Sequence, residues 1–142
     1  MLNNDLLSRA IAIVMVKAAT ADGTTAVTSD AVDLQAYKAE GVLFLTSFAT
    51  PAADNTLKTQ KSDDDSTYTT VTGSETAPGA SDETAFNDIG QFPARYAKAV
   101  VTRGTSTVLG PIYALLYRLR AQPVGTNATA GTTSGTRLVQ PS

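Results

Sequence analysis

The side chains able to do chemistry in this chain are carboxylates, guanidiniums and hydroxyls, because its 142 residues include neither histidine nor cysteine. The commonest general base and transition-metal ligand is therefore missing, as are thiolate nucleophiles, zinc thiolates and disulfides. The densest acidic cluster is Asp63-Asp64-Asp65. Hard cations such as calcium take clustered carboxylate oxygens, but a calcium loop alternates its ligands and closes on a glutamate. Three consecutive aspartates between Ser62 and Ser66 fit a solvated hairpin turn better, with carboxylates bonded to their own backbone. No metal or cofactor is expected.

Paired carboxylates for glycoside hydrolysis must face one another across a cleft. Glu40, Glu75, Asp82, Glu83 and Asp88 are available, yet most fall in loop-like sequence, and there is no tryptophan to stack on a sugar. The expectation is a protein that is not an enzyme. Arg95, Arg103, Arg118 and Arg120 read as solvated arginines at strand ends, with a fork to a partner's carboxylates as the alternative. Tyr113 and Tyr117 read as core, with an interface role second. Asn127-Ala128-Thr129 matches a glycosylation sequon, which a threonine-rich stretch produces by chance.

Charge narrows the partners further. Lys+Arg 11 against Asp+Glu 13 gives a net charge of −2, with no markedly basic stretch. Nucleic-acid binding through phosphate neutralisation is not expected. The longest apolar run, Ala10 to Val16, is far short of the ~20 residues that span a bilayer. Asp5 offsets Arg9 ahead of that run and Lys17 follows it directly, so neither a membrane segment nor a cleaved leader is expected.

The elements that would position these groups are short strands. Ile11 to Ala18 is apolar on both alternating faces, and Ala21-Asp22-Gly23-Thr24 has turn chemistry. Val32 to Leu34 is a short strand. Gly41 to Phe48 is the strongest, with Val42, Phe44, Thr46 and Phe48 on one face and Leu43, Leu45 and Ser47 on the other. Leu57–Lys61 and Tyr68–Val71 form a hairpin around the aspartates, and 73–82 is a long loop. Thr84–Ile89, Ala94–Thr102 and Ile112–Arg120 complete a set of seven or eight strands, with a turn at Arg103–Ser106. In the last of these, Tyr113, Leu115, Tyr117 and Leu119 share a face. Turn signals at this spacing predict one all-β domain over residues 10–120, an antiparallel β-sandwich or jelly roll. Its expected core comprises Ile13, Val14, Val42, Phe44, Leu45, Tyr96, Val100, Leu115 and Leu119.

Two terminal segments stand apart. Residues 121–142 are rich in Gly, Thr, Ser, Ala and Pro, with too little apolar surface to offset an ordering cost of about 1–2 kcal/mol per residue. Such a tail either folds back on its own domain or lies as an extended arm on a neighbouring subunit. The arm is the expectation, with Arg137, Leu138 and Val139 as its anchors. Residues 1–9 form a matching N-terminal arm that carries Met1, Leu2, Leu6 and Leu7. Arg118 and Arg120, at the end of the last strand, complete the expected partner-binding set.

The succession Val32-Asp33-Leu34-Gln35-Ala36-Tyr37, Val42–Phe48, Leu57-Lys58-Thr59-Gln60-Lys61-Ser62-Asp63-Asp64 and Tyr68-Thr69-Thr70-Val71 resembles the decoration or cement proteins of tailed bacteriophages. Arg95-Tyr96 and the Val100–Gly104 segment resemble a later strand and turn of that group. Ala36 stands where a glycine is usual, and Gln60–Asp64 is one residue longer than the plain form. The resemblance covers roughly residues 32–119. It implies a virion structural protein on the capsid exterior that binds the major capsid protein and clips adjacent subunits. Self-association as a homotrimer, or next a dimer, is expected because closed symmetry multiplies weak contacts. Another virion part, such as a tail or head–tail connector protein, and a carbohydrate- or cell-surface-binding module are the alternatives.

Overall fold

A computed structural model describes residues 11–118 and the strand 133–139. Among them are twelve strands, and no helix that is long and apolar enough to cross a membrane. In chain order the strands are β1 (Ile11–Lys17), β2 (Thr20–Gly23), β3 (Val27–Thr28), β4 (Val32–Asp33), β5 (Gly41–Ser47) and β6 (Thr56–Ser62). Then follow β7 (Thr69–Thr70), β8 (Thr84–Gly90), β9 (Tyr96–Thr102), β10 (Thr107–Leu109), β11 (Ile112–Tyr117) and β12 (Thr133–Val139). The larger sheet runs β1-β11-β5-β8-β12, antiparallel except for the parallel β8–β12 pair. The second runs β9-β6-β7, with β3 and β4 both paired to the far side of β9. A ribbon of β2 and β10 closes one end. The chain is an all-β sandwich, as its strand pattern predicts.

The inner faces meet in one core. Val42, Phe44, Ala85, Ala114 and Leu116 of the larger sheet and Leu57, Ala97, Ala99 and Val101 of the second share a single buried cluster. Removing the Phe44 side chain should cost about 3–5 kcal/mol through lost transfer energy and the cavity left behind. Asn87, fully buried on β8, joins the two layers. Its Nδ2 donates to the Leu57 carbonyl of β6 at 3.0 Å, and its Oδ1 accepts from the Thr76 hydroxyl. A buried amide satisfied this way holds the sheets in one registration, because sliding them would strand its polar atoms.

Several expectations change. Thr20–Gly23 is a strand rather than a turn, because Gly23 and Thr20 pair with Thr107 and Leu109 of β10. Ile13, Leu45 and Leu115 point away from the core, on the outer face of the larger sheet, and Ile13 is 67% exposed. Tyr96 and Val100 lie half-buried on the outer face of the second sheet, alternating with buried Ala97, Ala99 and Val101. Tyr113 and Tyr117 are likewise not core, because Ile112, Ala114 and Leu116 are the inward residues of β11. In β1, β5 and β11 both faces are largely apolar, and in β9 the larger side chains lie on the outer face beside Lys98, so size does not reveal which face meets the opposite sheet. Leu119 lies outside the described residues.

Candidate interaction surface

The outer face of the larger sheet is built from the second apolar set of each strand. Pairing registers place Ile13, Leu115, Leu43 and Asp88 in one row across β1, β11, β5 and β8. The next row is Met15, Tyr113, Leu45 and Phe86. Seven of these eight positions are apolar or aromatic, with Asp88 the exception. Ile13 is 67%, Met15 56% and Tyr113 37% exposed, while the leucines and Phe86 are half-buried among their neighbours. A solvated sheet face ordinarily alternates to polar residues. A contiguous apolar face of this size is unusual for a face left to solvent.

One corner of the molecule gathers the segments around Asp33, Asp63–Asp65 and Arg95. Asp33, at the end of β4, accepts from the amides of Gln35 and Ala36 and so shapes the following turn. The same carboxylate takes Arg95 in a two-pronged pair, Nε at 3.0 Å and Nη2 at 2.8 Å. Arg95 holds the Asp33 carboxyl below its ordinary value, with the turn amides assisting. The Arg95 amide in turn donates to Asp63 at 3.4 Å, and its carbonyl accepts from the buried Leu34's amide at 2.9 Å. Next to it, Asp64 accepts from the amides of Thr67 and Ser66 and from the Ser62 hydroxyl. These donors pull its carboxyl well below the usual range. Asp65 takes a positive φ of 56°, and its carboxylate accepts from the Tyr68 hydroxyl. The three aspartates are thus turn architecture, each with a backbone or side-chain task. Among the described residues no group of three acidic, histidine or cysteine side chains could hold a metal ion.

The outer face of the second sheet has a different chemistry. Lys98 sits 4.0 Å above the Tyr68 ring and Arg95 5.0 Å above that of Tyr96, both within cation–π range. Lys58 and Gln60 lie beside them in register with Val100 and Lys98. The two broad faces therefore differ, one apolar and the other cationic and aromatic. An open groove of about 570 Å³ passes the end of β1 between Met15, Lys17, Ala19 and Asp30.

The arginines do not act as a set. Arg95 is paired to Asp33, and Arg118 is exposed just beyond β11. Arg103, read as a solvated strand-end residue, is only 5% exposed. Its Nη1 donates to the carbonyls of Ala21 and Thr107 at 2.7 and 2.8 Å, and its Nε to that of Thr25 at 2.9 Å. It pins the β2–β10 ribbon to the end of β9, and three carbonyl dipoles compensate the buried charge. Arg137, Leu138 and Val139 fall in β12, opposite Asp88, Ile89 and Gly90 of the same chain. Met1, Leu2, Leu6, Leu7 and Arg120 lie outside the described residues. The sequence alone does not single out the outer apolar face as one continuous surface. Its signal was the repeated occurrence of strands apolar on both sides, in β1, β5 and β11.

Comparison with protein-family models and with curated proteins returns no match to this chain.

Proposed function

We propose that this chain is a structural virion protein, a cement or decoration protein that binds the outer capsid surface of a tailed bacteriophage and clips adjacent major capsid subunits. The observation that carries the reading is the outer face of the larger sheet, where Ile13, Met15 and Tyr113 stand exposed beside Leu43, Leu45, Leu115 and Phe86. A rigid sandwich that presents one apolar face gains most by covering it on a large flat partner. A shell of repeated subunits supplies that partner many times over. The motif resemblance over roughly residues 32–119 points the same way.

Quantitative mass spectrometry of purified particles tests the assignment. A copy number matching the shell lattice is expected, whereas the few copies of a ring would make it a tail or connector component. A specific hit on a glycan array with no particle association would make it a carbohydrate-binding module. The face itself is tested with Met15→Asp and Ile13→Lys. Both sites are exposed, so folding stability should change by no more than about 0.5 kcal/mol. Binding to capsids should weaken by roughly tenfold or more, because a buried unpaired charge costs at least that much at an interface. Full-affinity binding by both variants would remove the outer face from the contact.

A further inference from the structure

β12 reaches its place by an uncommon route. β11 is antiparallel to β5 and β5 to β8, while β12 is parallel to β8, so β11 and β12 run in the same direction with two strands between them. The end of β11 and the start of β12 are therefore separated by the length of the sheet and by the width of β5 and β8. That displacement is about 24 Å from the strand rise and spacing. Fully extended, the connection reaches about 50 Å, twice what is needed. Nothing in its reach ties β12 to the β8 of its own chain.

The β8 edge itself is well specified. Ala85, Asn87 and Ile89 are buried in the core on the inner side, so β8 is anchored through the opposite sheet. The backbone of residues 133–139 pairs in parallel with β8 over a continuous seven-residue register, from Thr133 beside Thr84 to Val139 beside Gly90.

We infer that the β8 edge is a strand-accepting site that residues 133–139 of a second copy of this chain fill in place of the chain's own. The contacts made in cis and in trans are the same. The choice between them is set by the effective concentration that a tether of this length provides, on the order of mM. Copies packed side by side reach that range and exchange strands, which links neighbours through main-chain hydrogen bonds. The inference does not depend on which face meets a capsid.

Single cysteines report the exchange cleanly, because the chain has none of its own. Thr84 and Thr133 are register partners at the start of the pair. Neighbouring strands lie about 4.8 Å apart, inside the range a disulfide spans. Full-length Thr84→Cys and Thr133→Cys proteins are mixed near ~1 mM, where exchange competes with the tether, and oxidised. The expected product is a covalent heterodimer, in about tenfold excess over a control mixture of Thr84→Cys with Val139→Cys, which join opposite ends of the register. The doubly substituted Thr84→Cys/Thr133→Cys chain, dilute, should close an internal disulfide. Internal closure without heterodimer in the mixture would overturn the exchange, and failure of both products would overturn the β8–β12 site itself.

Discussion

The Tyr117 hydroxyl donates to Asp88 Oδ1 at 2.5 Å, reaching from β11 to β8 across the intervening strand β5. The reach is possible because Gly41 lies beneath the ring. A Cβ at Gly41 would stand 2.4 Å from the Tyr117 ring and 2.6 Å from its hydroxyl. Gly41→Ala should therefore expel the ring rather than move the backbone, since a side-chain end yields more easily than a strand. Tyr117→Phe should cost about 1.5–3 kcal/mol for the lost bond to a charged acceptor. The double variant should cost less than the sum of the two, because each change removes the same contact. Urea unfolding of the three variants measures this coupling, and strict additivity would show that the glycine serves some other purpose.

Asn87 tests what holds the layers together. Asn87→Leu has similar volume but strips Thr76 and the Leu57 carbonyl of a partner inside the core. A loss of about 2–3 kcal/mol is expected, more than hydrophobic gain at that position returns. Equilibrium denaturation decides it. Unchanged or raised stability would mean that the amide network is dispensable.

Arg103 is the buried cation of the fold. Arg103→Met keeps the side chain's length but leaves the carbonyls of Ala21, Thr25 and Thr107 without its donors. The loss should be about 2–4 kcal/mol, with Arg103→Lys recovering only part because an ammonium lacks the planar fork. Amide exchange should locate the loosening in the β2–β10 ribbon. Protection unchanged there would contradict the role assigned to the guanidinium.

Acid sensitivity follows from Asp64 and Asp33. Both carboxyls are held below their ordinary values, Asp64 by the Thr67 and Ser66 amides and Asp33 by Arg95. A depressed folded-state value contributes stability that is present above the unfolded value near ~3.9 and lost as pH falls through the folded one. Wild-type stability should decline from about pH 4 downward, and Asp64→Asn should flatten that acid limb while leaving neutral pH the less stable by comparison. Thermal midpoints across that interval provide the measurement. A limb as steep in Asp64→Asn as in the wild type would assign it to other groups.

The sequence by itself determined the class of fold, the hairpin around Asp63–Asp65 and the two faces of β5. Alternation along Val42–Phe48 is clean there, and turn chemistry is local. Glycines and aspartates choose their backbone angles from neighbours a few residues away. Tertiary structure alone decided which of two apolar faces became core. Val42 and Phe44 turn inward but Leu43 and Leu45 outward because a second sheet packs on one side, and period-two patterning carries no information about that side. Distance in sequence hid the rest. Asp33, Asp63 and Arg95 meet at one corner, Arg103 collects carbonyls from three segments, and β12 lines up beside β8, each through pairings that only the folded chain brings together.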